Sequence, residues 1–181
     1  MPGARVGVHV NPHGDGIVGR TFAGQAGIDR GGTYLGGQDH QGTFDDDTIN
    51  IANADFAKID GKSGFDTLVA AGTDMVLDFT KITQDRVSSI EMIDLTGHGN
   101  NQLTLTAQDV LDMSGYTEAN TTSLWVKLDS GDVIDFSGEG WSFGGAQVDG
   151  AHTYDVFENA ALAPNSVRVL IEQFDGSTHM Y

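Results

Sequence analysis

A chain of 181 residues can close one domain around a substantial core. Its 26 acidic residues against 9 basic ones give a formal charge of -17, which excludes nucleic acid or an anionic membrane as a direct partner, because both require a cationic surface. The lack of cysteine excludes disulfides and thiolate metal sites, and no run approaches the roughly 18 apolar residues of a membrane span, so membrane insertion is not expected.

The acidic excess is Asp rather than Glu and falls in turns rich in Gly, Asn and Ser. Cation-binding loops have that pattern, whereas a merely solvated helical face takes Glu. With 25 glycines and 3 prolines the chain reads as tight turns between short strands. The expected class is all-β: a sandwich-like module with long glycine-rich loops and one short helix, spanning residues 1–181 as a single domain. Met1–Gly3 and the tail Asp175–Tyr181 read as vector-derived ends and carry no argument. No basic and then apolar leader follows Met1. The segment is therefore expected to be an excised module, or to rely on an export signal outside it.

In chain order, Val6–Val10 alternates and Asn11–Gly16 is a turn cluster. Gly24–Gly37 is a glycine-rich stretch anchored by Tyr34 and Leu35. Short strands are expected at Thr48–Ala52, Thr67–Ala71, Met75–Phe79, Ile90–Leu95 and Gln102–Thr106, most of them following a turn with Gly, Asn or Asp. Thr106 and Asp109 have the spacing of a capping box with Thr106 as N-cap, and with Val110, Leu111 and Met113 they predict one or two turns of helix, ended by Gly115. Ser123–Leu128 and Asp132–Phe136 flank Asp129-Ser130-Gly131 and predict a hairpin. His152–Phe157 and Val167–Ile171 predict a second pair, the last strand lying mid-sheet because it is almost continuously apolar.

Three nonapeptides share one template: Gly42–Asn50 (GTFDDDTIN), Gly61–Val69 (GKSGFDTLV) and Thr96–Thr104 (TGHGNNQLT). Asp47, Asp66 and Asn101 fall in one column, and Ile49, Leu68 and Leu103 in another. Glycine turns of this kind expose backbone carbonyls, the Asp adds a hard oxygen, and the aliphatic residue points inward from a short strand. Asp45, Asp46 and Asp47 are adjacent carboxylates that repel one another unless a cation lies among them, and Asp39 across the Gly42 turn would be a further ligand for the same site. The alternative is an exposed acidic turn. Asp60 and Asp66 with the carbonyls of Gly61–Gly64 form a second candidate, unless Asp66 only caps its own turn. Asn101 is a weaker ligand and reads as a plain turn, and Asp129 and Asp132 suit either a metal or a hairpin.

The run Ser89–Met113, followed by Leu124–Asp132 and Gly138–Trp141, resembles a module near the C-terminus of giant RTX adhesins, and the nonapeptides are a worn form of the RTX calcium repeat. The likeness spans roughly Gly42 to Ile171. It implies a type I-secreted protein of a Gram-negative bacterium, placed at the extracellular cell surface, with several Ca2+ ions. It further implies a calcium-dependent peptide-binding domain, a monomeric module within a longer chain. On this resemblance, one incompletely coordinated ion would capture the C-terminal carboxylate of a surface protein during adhesion and biofilm formation. Tyr34, Gln38 and Asp39 would line that ion, and Trp141 is either a binding aromatic or a plug at the end of the sandwich. The rival expectations are a purely structural spacer and a calcium-dependent lectin. Because the nonapeptides are degenerate and scattered, a long regular β-roll is not expected.

An enzyme is not expected. Of the six histidines, only His9 and His13 are four apart, and Pro12 and Gly14 oppose a helix there. Gly140-Trp-Ser-Phe-Gly144 matches the nucleophile-elbow pattern, and Asp155 and His179 follow it, but residues 144–150 do not open a helix as that motif requires.

Overall fold

The structure, a computed structural model, describes residues 33–34, 39–138 and 140–173. It is all-β and sandwich-like, with one short helix, as composition predicts. The strands are β1 (Thr33–Tyr34), β2 (Asp39–Gln41), β3 (Thr48–Ile51), β4 (Lys58–Asp60), β5 (Thr67–Ala70), β6 (Val76–Asp78), β7 (Val87–Ser88), β8 (Met92–Asp94), β9 (Gln102–Leu105), β10 (Thr117–Glu118), β11 (Thr121–Lys127), β12 (Val133–Phe136), β13 (Trp141–Asp149), β14 (His152–Asn159) and β15 (Ser166–Glu172); helix α1 is Ala107–Met113.

Strands β1, β3, β5, β8 and β11 lie side by side and parallel in the main sheet. Two further sheets, β2-β4-β7 and β6-β9-β12, are also wholly parallel. Following the chain through β5, β6, β7 and β8 visits the main sheet, each of the other two, and the main sheet again. The chain thus winds as a coil with three faces, and each strand pairs with its counterpart one turn later. In the turn after β9, α1 occupies the place of the next strand and packs beside β7, β11 and β15. A degenerate repeat suffices for this because each strand needs only one or two inward side chains.

Those side chains include the template's aliphatic column, Ile49, Leu68 and Leu103. Ile49, Leu68, Ile93 and Leu103 are all fully buried, and with Leu77 and Ile134 they join one core drawn from all three sheets. In the main sheet the residue two positions later, Ile51, Ala70 or Leu95, is buried as well, which is the period of a strand with one face inward. Helix α1 starts where the capping box places it. The Thr106 side chain accepts the Asp109 N–H, and Asp109 accepts the Thr106 N–H at 2.7 Å.

After β11 the topology changes. β15 joins β11 in parallel, and β14 and β13 then add antiparallel, extending the main sheet on one side. The predicted β14–β15 pair and the mid-sheet position of β15 are both present. The hairpin expected between Ser123–Leu128 and Asp132–Phe136 does not form. β11 pairs with β8 and β15, whereas β12 crosses to β9 in another sheet. A tight glycine turn of this kind serves a corner as well as a hairpin, and the aliphatic periodicity of β12 matches β9 in either case.

The corners leave no room for side chains on the inner glycines. A Cβ on Gly61 would lie 2.0 Å from the Ser89 carbonyl oxygen and 2.4 Å from Asp66 Oδ2, and one on Gly42 would lie 2.3 Å from the Gly61 carbonyl oxygen. Both glycines also donate their N–H one turn onward, Gly42 to Asp60 and Gly61 to Ser88. Gly61→Ala is expected to lower the unfolding free energy by about 2 to 5 kcal/mol, as much as truncating a buried leucine, measured by urea denaturation.

Candidate functional site

Two corners of the coil carry ladders of polar side chains, and both follow one rule. The residue just before a strand accepts, through its side chain, the backbone N–H of its counterpart one turn earlier. At the corner leading into the main sheet, Asp47 N–H donates to Asp66 Oδ1 at 2.8 Å, and Asp66 N–H donates to Glu91 Oε2 at 2.8 Å. Glu91 Oε1 accepts the Gly115 N–H at 2.9 Å, which ends the ladder. At the corner leading into β6, β9 and β12, Met75 N–H donates to Asn101 Oδ1, and Asn101 N–H donates to Asp132 Oδ1, both at 2.8 Å. The sequence template therefore aligned Asp47, Asp66 and Asn101 for a physical reason, although they occupy two different corners.

The second corner is saturated. Asn101 is fully buried and also donates its side-chain amide to the Leu95 carbonyl at 2.7 Å. Asp132 Oδ2 accepts the Asp129 N–H, and Asp129 Oδ2 accepts the Gly97 N–H. Burial pushes the Asp132 carboxyl above its ordinary value despite these bonds. Asn101 is thus a structural strut rather than a plain turn residue, and Asp132 spends both carboxylate oxygens, and Asp129 one, on backbone amides.

The first corner is not saturated. Asp66 is fully buried, and its Oδ2 has no hydrogen-bond partner among the described residues. Desolvation pushes its carboxyl up from 3.8 to about 7, against the favourable Asp47 amide, and the negative charges of Glu91, Asp47 and Asp46 push the same way. Asp47 is nearly buried, and its Oδ2 accepts the Thr43 N–H and hydroxyl at 2.5 and 2.9 Å. Asp46 is exposed and accepts the Phe65 N–H at 2.8 Å. Asp45 is exposed beside Phe44, which is 80% exposed.

The remaining candidates are spread out. Asp60 is paired with Lys62; burial opposes its ionisation, but the Lys62 ammonium and amide outweigh that and hold its carboxyl below the ordinary value. Asp39 is exposed in β2, in register with Lys58. Tyr34 lies in β1, in register with Ile51, and Gln38 lies outside the described residues. Trp141 opens β13, its ring 4.7 Å from that of Phe136, half-buried. Among the described residues no three His, Asp or Glu side chains form a compact cluster of the kind a metal site takes. Ser142 of the nucleophile-elbow pattern lies within β13, which continues to Asp149 with no helix after it; His9, His13 and His179 lie outside the described residues. None of the described helices is long and apolar enough to cross a membrane.

Glu91 is the residue that the sequence reading passed over. It lies two positions before buried Ile93, as Asp47 precedes Ile49 and Asp66 precedes Leu68, so its offset was the available signal. No family model, characterised protein or solved structure matches this chain.

The neutral form of Asp66 is favoured in the fold, so its contribution to stability is fully present below about pH 4 and is lost as pH rises through about 7. In chelator, the melting temperature is expected to fall between pH 5 and pH 8 (calorimetry), and Asp66→Asn, which keeps an acceptor for the Asp47 amide, is expected to flatten that slope. Asn101→Ala is expected to cost about 1 to 3 kcal/mol for each buried backbone group it strands, read from urea titrations.

Proposed function

We propose that the chain is a calcium-dependent binding module of a secreted bacterial surface protein, not an enzyme. The observation that carries this reading is the bare, buried Oδ2 of Asp66, in a glycine turn where every charge acting on it is negative. A hard divalent cation would remove both penalties at once, because calcium takes six to eight oxygens from carboxylates and turn carbonyls. Asp66 would be the side-chain ligand, with carbonyls of the Gly42–Asp47 and Gly61–Asp66 turns as the remaining protein donors. Asp60 is the weaker candidate, since Lys62 already neutralises it. Binding only to the folded state would then tie stability to calcium, leaving the chain less stable in a calcium-poor cytoplasm than outside the cell.

The resemblance to RTX adhesin modules extends this to capture of a partner's C-terminal carboxylate. The support here is the exposed pair Asp45 and Asp46 beside Phe44 on the same turn, where an ion with open positions would face solvent. A second reading, a structural spacer, is favoured by the complete burial of Asp66, since an ion held there would be closed to a ligand.

If calcium binds at a concentration of about 100 times its dissociation constant, it adds about 2.7 kcal/mol, which raises the melting temperature by roughly 5 to 10 °C in a domain of this size. Asp66→Asn is expected to abolish the rise, and the calcium affinity of the unaltered chain is expected to increase with pH, opposite to the metal-free stability. No calcium-dependent shift would sink the reading. Calorimetric titration with free-acid peptides and their C-terminal amides then divides the two roles: carboxylate capture predicts binding of the acids alone, and a spacer predicts neither.

A further inference from the structure

The β13–β14 ribbon extends the main sheet beyond the coil and ends on an open strand. β13 is the longest strand, nine residues, and among the described residues it pairs only with β14. Natural edge strands are usually short or guarded by charge, yet Trp141–Val148 contains no charged residue. A bulge between Phe143 and Gly145 resets the alternation, so that Trp141, Phe143, Ala146 and Val148 all lie on one face, opposite Asn159, Phe157, Asp155 and Thr153. Trp141 is held against Phe136, but Phe143 is 58% and Val148 71% exposed. Among the described residues, the result is an apolar stripe beside an unpaired row of backbone donors and acceptors.

The charge around this edge selects its occupant. The two strands of the ribbon carry three acidic residues, Asp149, Asp155 and Glu158, and no Lys or Arg. Glu158 on β14 is exposed beside Gly144, and Asp149 closes the far end of β13. A second copy of a chain with a formal charge of -17 would bring like charges together. We infer that β13 receives an extended, cationic segment of a partner protein as an added strand. Backbone hydrogen bonds would supply affinity, alternate apolar residues would cover Phe143 and Val148, and basic residues on the other face would meet the acidic rim.

This site is remote in the fold from the Asp66 corner and does not depend on calcium, so it is tested with end-blocked peptides that lack a C-terminal carboxylate. The probe is a short acetylated and amidated peptide of alternating lysine and valine, added to the isotope-labelled chain with and without chelator. Amide shifts in Trp141–Asp149 are expected in both conditions, with affinity falling at high salt. Phe143→Ser combined with Val148→Ser, both at exposed positions, is expected to weaken binding about tenfold at an unchanged melting temperature. Equal binding of a glutamate–valine peptide, or of a lysine–valine peptide interrupted by proline, would overturn the inference. So would absence of shifts in β13, or sedimentation showing that the chain pairs with itself through this strand.

Discussion

The backbone N–H that each turn of the coil donates to a side chain of the next is the bond on which the architecture rests. A parallel coil with strands of three or four residues has little ladder to hold its register, and its corners would leave amides buried without acceptors. Asp66 and Glu91 at one corner, and Asn101 and Asp132 at the other, supply those acceptors from within the repeat. Losing one would strand a buried donor, which costs more than a typical hydrogen bond contributes. The same residues set the winding, because each ties its own turn to a directly adjacent one.

The two corners solve the same problem with different electrostatics. At the Asn101 corner a neutral amide sits in the deepest place, and the carboxylates of Asp129 and Asp132 have backbone donors for their oxygens. At the Asp66 corner the deepest group is itself an acid, stacked between Asp47 and Glu91. Burial and the neighbouring negative charges raise its pKa, so that its carboxyl favours holding a proton or gaining a cation. An Asn at position 66 would meet the backbone's needs equally well. The acid is therefore where a function beyond folding finds its support.

The outer part of the molecule follows a different logic. β15, β14 and β13 are seven to nine residues long and need no corner ladder. Their interior is held by aromatic packing, with Phe136 of β12 against both Phe157 and Trp141. On the opposite face Leu170, Tyr154 and Val156 gather around Trp125, whose ring meets Phe65 and Tyr116 edge-on. The coil supplies rigidity, and the ribbon carries an accessible strand away from it.

Much of the coil was legible in the sequence. The Gly-to-Asp turn and the inward aliphatic recur at Gly42–Ile49 and Gly61–Leu68, and period and spacing are local properties that survive without a partner in view. The capping box at Thr106–Asp109 was equally local. What only the tertiary structure decided was which strands pair. Asp129–Gly131 suits a hairpin and a coil corner alike, and the contest is settled by β9 and β15, far away in the chain, offering better-matched neighbours. It also decided the standing of the acids. Asp45, Asp46 and Asp47 look alike in sequence, yet one is buried and two are exposed; Glu91 looks like a solvent-facing strand residue and is buried. Sequence determined which groups are present and at what interval. Burial and hydrogen-bond partners, which fix what a carboxylate does, belong to the packing of successive turns and could come only from the fold.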